Sequence, residues 1–255
     1  EEGNCNIVKE LTESELFNVT FEDKEYTYDG TKKKLQVINL PEGFTVEYEG
    51  NNKADVGIYT VKATIKGDSN YIGTITKEAT LTINKAKVTI TADDKTSTYG
   101  DSLAYLTYET EGTIYGKDNL NILLTKKGGL NVGTYDILVS ASNPNYEITT
   151  VKGNYKITPR KLTLADLNGI TFRDTTYTYD KTEKTILVNN LPEGFSVKYT
   201  NNKGLNAGEY KATATITGNS NYTGSVVKNA VLTINKSPII ITAESKMSRY
   251  KEELL

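Results

Sequence analysis

Asp55-Val56-Gly57-Ile58-Tyr59 leads into the run Tyr59-Thr60-Val61-Lys62-Ala63-Thr64-Ile65, in which every second side chain is aromatic or aliphatic. A period of two puts Tyr59, Val61, Ala63 and Ile65 on one face of a pleated strand and Thr60, Lys62 and Thr64 on the other. The segment therefore reads as a strand with one buried and one wet face. The stretch recurs. Leu130-Asn131-Val132-Gly133-Thr134-Tyr135 leads into Ile137, Val139 and Ala141, and Leu205-Asn206-Ala207-Gly208-Glu209-Tyr210 leads into Ala212, Ala214 and Ile216. A Gly-x-Tyr turn opening an alternating strand three times, at about 75-residue spacing, predicts several small modules in place of one large domain.

The turn resembles the tyrosine corner of immunoglobulin-like sandwiches, where a tyrosine at the start of a strand hydrogen-bonds back to the chain just upstream. Tyr59, Tyr135 and Tyr210 are the expected corner residues, each buried with its hydroxyl on nearby backbone. The resemblance implies an all-β chain of tandem immunoglobulin-like β-sandwich modules arranged end to end. Two antibody features are missing. The positions two residues after each corner are Val61, Ile137 and Ala212 where antibody domains carry cysteine, and the chain has no Trp to serve as the strand C anchor.

Self-comparison sharpens the boundaries. At a constant offset of 151 residues, Tyr26-Thr27-Tyr28-Asp29 repeats as Tyr177-Thr178-Tyr179-Asp180, Leu40-Pro41-Glu42-Gly43-Phe44 as Leu191-Pro192-Glu193-Gly194-Phe195, and Asn70-Tyr71 as Asn221-Tyr222. Roughly half the positions from Thr20 to Lys85 are identical across the offset, so the unit is duplicated. Between the copies lies a second type of module, with its own corner and an Asn145-Tyr146 pair but a different opening, Lys87 to Ala92 and then Ser97-Thr98-Tyr99-Gly100-Asp101. The expected order is the tail of a preceding module over 1–8, type A over 9–85, type B over 86–159, type A over 160–236 and the first strand of a truncated type B module over 237–255. In that last segment Pro238 to Ala243 is expected to lack ladder partners. Short connections containing Pro159 and Pro238 predict stiff links and an extended rod.

The Tyr28-Asp29-Gly30 turn, the Gly57-Ile58-Tyr59 corner, the Asn70-Tyr71 pair and the closing Leu81-Thr82-Ile83-Asn84-Lys85 resemble the mostly bacterial immunoglobulin-like (MBG) domains. Tyr99-Gly100-Asp101 is similar to the subtype named for a Tyr-Gly pair. The second type A copy departs at Lys181, where Gly30 stood. Such domains are generally tandem arrays in exported or surface-anchored bacterial proteins, so the resemblance implies an extracellular or cell-surface location.

Composition narrows the chemistry. With 30 Lys+Arg against 32 Asp+Glu, mixed throughout, no basic stripe argues for nucleic acid. No apolar run is long enough to insert in a bilayer. Histidine is absent, which removes Ser-His-Asp and Cys-His mechanisms, and the lone Cys5 reads as an incidental thiol. Acidic positions such as Asp68, Asp93, Asp94 and Asp101 lack an Asp-x-Asp-x-Asp-Gly calcium loop and read as solvated loop carboxylates. Leu40-Pro41-Glu42-Gly43 and its copy share a Leu-Pro start with the sortase signal but lack its Thr and apolar tail, and read as turns.

No catalytic residue, metal ligand or cofactor is expected. Among 18 tyrosines, Tyr26 with Tyr28 and Tyr177 with Tyr179 share strand faces and are the candidate glycan contacts, against the plainer role of amphipathic sandwich residues. The expected function is a non-catalytic structural and interaction array, a stalk or adhesin segment. Its partners would be neighbouring modules of the same chain and a host or environmental glycan or protein. The alternative is a set of accessory glycan-binding modules of an extracellular polysaccharide-degrading enzyme.

Overall fold

A computed structural model describes residues 7–247, 249 and 250. Cys5, most of the expected 1–8 tail and the last residues of the 237–255 segment lie outside the described residues. The chain is all-β, of immunoglobulin-like β-sandwich class.

Two compact units form. The first runs to Thr96 and adds Leu103–Gly129 and Thr134–Lys156; the second comprises Ser97–Ser102, Leu130–Gly133 and the chain from Ile157 onward. In the first unit, the type A module is built on a four-stranded sheet in the order Lys24–Thr27, Thr74–Asn84, Gly57–Lys66, Thr45–Glu49. Gly57–Lys66 and Thr74–Asn84 pair antiparallel with Tyr59 opposite Leu81, and Lys24–Thr27 joins parallel with Tyr26 opposite Ile83. Alternation sets the faces: Val61, Ala63 and Ile65 are buried, while Thr60 and Lys62 are exposed. The facing layer is short. It contains the Lys9–Glu10 pairing with Tyr71–Ile72, isolated bridges from Thr20 to Ile38 and Lys33 to Lys53, and a 3-10 turn at Glu13–Leu16 that buries Leu16.

The type B segment that follows has two fuller layers. Tyr146–Val151, Ala86–Ala92 and Tyr108–Glu111 form one, and Leu123–Lys126, Gly133–Ser140, Gly153–Thr158 and Lys95–Thr98 the other. The buried residues of type A (Tyr28, Val61, Leu81, Ile83) and of type B (Val88, Ile90, Leu120, Tyr146) belong to one hydrophobic cluster. The strand Thr74–Asn84 passes into Ala86–Ala92 with only Lys85 between, so the apolar face of one module continues into the next. Modules of this size bury little surface alone, and a shared core supplies what each lacks.

The second unit repeats the type A plan. Its sheet runs Thr175–Thr178, Ser225–Asn235, Gly208–Thr217, Ser196–Thr200, with Ala212, Ala214 and Ile216 buried and Tyr210 opposite Leu232. Lys181 takes a left-handed backbone (φ 68°), as Gly30 does in the first copy (φ 74°). Both turns are held the same way: Asp29 accepts from the Thr31 amide at 2.9 Å, and Asp180 from the Thr182 amide at 2.9 Å. Pro238 to Ala243 belongs to no sheet, and Ile239, Ile240 and Ile241 are exposed.

Candidate functional site

The three tyrosines at the corners are half-buried, not fully buried. Each ring lies flat over its own loop, with one edge still reaching solvent. The Tyr59 hydroxyl donates to the Asp55 carbonyl at 2.9 Å and the Tyr210 hydroxyl to the Asn206 carbonyl at 3.0 Å, each four residues upstream. The Tyr135 ring packs on Gly128, where a Cβ would come within 2.2 Å, and lies under the Lys126 ammonium at 4.0 Å from the ring centre. A corner bond fixes the loop residue whose carbonyl it takes. In the first unit it thereby fixes the side chain of Asp55 and the N–H of Val56.

Those two groups are held by Asn145. The Val56 N–H donates to Asn145 Oδ1 at 3.0 Å, and Asn145 Nδ2 donates to Asp55 Oδ1 at 3.1 Å. The Asn145 carbonyl accepts the Ala86 N–H at 3.1 Å, which starts the parallel ladder of Tyr146–Val151 on Ala86–Ala92. Asn145 is itself set by an Asx turn, its N–H donating to Asn143 Oδ1 at 2.9 Å. Beneath it, Tyr28 and Tyr146 both donate to Asp118 Oδ2, at 2.7 and 2.8 Å, with their rings edge to face at 5.5 Å. Burial pushes the Tyr28 hydroxyl up to about 12, with the Asp118 carboxylate adding to the rise; burial also raises Tyr146. Both phenols therefore stay protonated as donors at neutral pH.

The second unit contains the same clasp. The Val132 N–H donates to Asn221 Oδ1 at 2.8 Å, Asn221 Nδ2 donates to Asn131 Oδ1 at 3.0 Å, and the Arg160 N–H donates to the Asn221 carbonyl at 3.0 Å. Asn221 is only 5% exposed. The ring of Tyr222 meets Tyr99 of the Tyr-Gly turn at 5.6 Å, and the Arg160 guanidinium lies 5.4 Å from its centre. Sequence reading marked Asn145-Tyr146 and Asn221-Tyr222 as motif residues but gave them no task, and it passed over Asp118. The recurrence of Asn-Tyr at the spacing of the corners was the available signal.

The candidate glycan tyrosines are not brought together. Tyr28 is 5% exposed and committed to Asp118, so it offers no ring face to a sugar. This overturns its assignment as a contact. Tyr26 and Tyr177 are half-buried against their cores with lysines near the rings, Lys24 and Lys33 at 5.3 and 5.4 Å and Lys184 at 5.4 Å. Tyr26 borders an open recess of about 530 Å³ between Thr20 and Ile38. Tyr179 packs on the core of the second unit and borders a recess of about 370 Å³ with Asn206, Ala207 and Ile239.

The acidic positions have structural partners: Asp94 accepts the Asn154 N–H at 2.6 Å, Asp93 meets Lys95 and Thr107, and Asp68 accepts the Asn70 N–H at 2.9 Å. Among the described residues no group of three or more His, Cys, Asp or Glu is placed to hold a metal ion, and no helix is long and apolar enough to cross a membrane.

A family model described as MBG domain matches residues 17–87 and again 168–238, and one described as MBG domain (YGX type) matches residues 88–156. The chain belongs to the MBG domain family. Within it, the two clasps join an MBG module to a YGX-type module and a YGX-type module to an MBG module. An uncharacterized protein of Archaeoglobus fulgidus is 30% identical to this MBG chain over 105 residues, 39% of this chain and 10% of that protein. The chain thus spans about a tenth of the length of that curated relative. Among solved structures, Drosophila N-cadherin EC1-4 is similar with a TM-score of 0.31 and 10% identity, over 86% of this chain and 75% of that one. Sidekick-1 immunoglobulin domains 1-5 give 0.25 and 14%, over 86% and 59%. A Bacteroides ovatus mixed-linkage glucan utilization locus protein, SGBP-B, in complex with a mixed-linkage heptasaccharide, gives 0.20 and 14%, over 85% and 67%. The likeness to these structures is one of β-sandwich fold only.

Proposed function

We propose that this chain is a non-catalytic structural and interaction array, a stalk or adhesin segment of an extracellular protein held at a bacterial cell surface. The observation that carries the reading is the repeated clasp, in which an Asn side chain of one module takes the corner loop of the module before it in the same geometry twice. Corner, clasp and shared core make the polar residues that recur along the chain part of the joints, which is the investment expected of a protein whose task is to hold modules in sequence. Membership of the MBG family supports the extracellular setting. Immunolabelling of intact cells that express the whole protein tests the location: labelling only after permeabilisation overturns it.

The alternative, accessory glycan-binding modules, finds support in one feature, the open recess beside Tyr26. A glycan array probed with the purified chain separates the two readings. The array reading expects no reproducible binding. Binding that is lost on Tyr26→Ala and Tyr177→Ala would establish the alternative.

A further inference from the structure

The 151-residue offset that relates the two type A modules places Asn206 and Ala207 where Asp55 and Val56 stand, Tyr179 where Tyr28 stands, and Ile239 and Ile241 where Val88 and Ile90 stand. In the first unit that set of positions is covered. Asn145 takes Asp55 and Val56, Tyr146 lies on Tyr28, and Tyr146–Val151 pairs with Ala86–Ala92, leaving Val88 2% and Ile90 0% exposed. In the second unit the same positions are open. Ala207 is exposed, Ile239 and Ile241 are 86% and 90% exposed, and Tyr179, Asn206, Ala207 and Ile239 border the recess of about 370 Å³. The loop is nonetheless pinned for use, because the Tyr210 hydroxyl holds the Asn206 carbonyl at 3.0 Å as Tyr59 holds Asp55.

We propose that this face is an open half-joint that binds the Asn-Tyr turn and following strand of a second YGX-type MBG module. The occupied joint of the first unit prescribes the contacts. An Asn side chain accepts the Ala207 N–H through Oδ1 and donates to the Asn206 side-chain oxygen through Nδ2. A strand like Tyr146–Val151 adds in parallel beside Ser237–Thr242, and its Tyr ring covers Tyr179. Backbone ladder bonds give the affinity and the Asn clasp the register, which is the division of labour in β-strand addition. Exposed isoleucines on a β-prone segment are an aggregation hazard unless a strand covers them, so the same contacts explain why Ile239 to Ile241 is tolerated. The inference deepens the array reading by naming the partner. It does not depend on a surface location, so its failure and the failure of that reading are separate results.

The test uses the whole chain, labelled with ¹⁵N, titrated with a synthetic peptide of the sequence Ser142–Val151. The expected result is a saturable shift of the Ala207 amide and of the Ile239, Ile240 and Ile241 amides. Replacing Asn145 by Ala in the peptide should weaken binding about tenfold, the effect of losing two hydrogen bonds of ordinary net strength. Ile239→Asp in the chain, at a position outside any sheet, should abolish the shifts. No shift at these amides with millimolar peptide overturns the half-joint, as does equal affinity for the Asn145→Ala peptide or for the Ile239→Asp chain.

Discussion

The Tyr28 hydroxyl, from a type A module, donates to the Asp118 carboxylate of the type B module at 2.7 Å, across 90 residues of sequence. The bond lies within the common core of the first unit and is made twice over, since Tyr146 donates to the same oxygen at 2.8 Å. A hydrogen bond to a charged acceptor in such a setting contributes about 1.5–3 kcal/mol, so Tyr28→Phe should lower the stability of the first unit by that order. Its pH dependence has a definite sign. The folded-state pKa of Tyr28, about 12, stands above the unfolded value of 10.0, so its contribution is complete below pH 10 and is lost as pH rises through about 12. Urea denaturation at pH 8 and pH 11 should show a smaller loss between the two for Tyr28→Phe than for the wild type; equal losses would contradict it.

The clasps should be separable from the rest of the fold. Asn221→Ala removes the acceptor of the Val132 N–H and the donor to Asn131 at a site that is nearly closed to water. Amide exchange at Val132 should accelerate about tenfold or more, while amides in the centre of Gly208–Thr217 keep their protection. Asn145→Ala should do the same to Val56 in the first unit.

Tyr59→Phe and Tyr210→Phe each remove one hydroxyl-to-carbonyl bond and leave the ring in place. A loss of about 1 kcal/mol is expected for each, measured by urea denaturation. Because the bond positions the clasped loop, Tyr59→Phe should also speed exchange at the Val56 amide. Unchanged exchange there would separate corner from clasp.

Lys181 occupies a left-handed backbone that Gly30 occupies without strain in the first copy. A side chain in that region costs about 1–2 kcal/mol, part of which is offset by its lower unfolded-state entropy. Lys181→Gly should therefore stabilise the second unit by about 0.5–1 kcal/mol, and Gly30→Lys should destabilise the first by a similar amount. A lower midpoint for Lys181→Gly in thermal denaturation would refute the assignment of strain.

Much of this protein is determined by sequence alone, through local and periodic signals. The alternation from Tyr59 to Ile65 dictates both the strand and its buried face, because a pleated backbone leaves no other way to sort those side chains. The 151-residue repeat determines the module types and their order, since each copy carries the same turns at the same places. The turn at Lys181 follows as well, because its Asp-x-Thr bonds are local and outlast the loss of glycine.

What joins the modules was decided only in three dimensions. Asn145 is 89 residues from Val56 and Asp118 is 90 from Tyr28, and nothing in a period of two or in turn chemistry brings such pairs together. Tyr26 and Tyr28 share a strand face in sequence, yet one borders an open recess and the other is sealed beneath a neighbouring module. Burial depends on what else is laid against a face, which periodicity does not encode. The half-buried corner tyrosines make the same point: the hydroxyl bond is local and legible, while the exposure of the ring is set by loops and lysines around it.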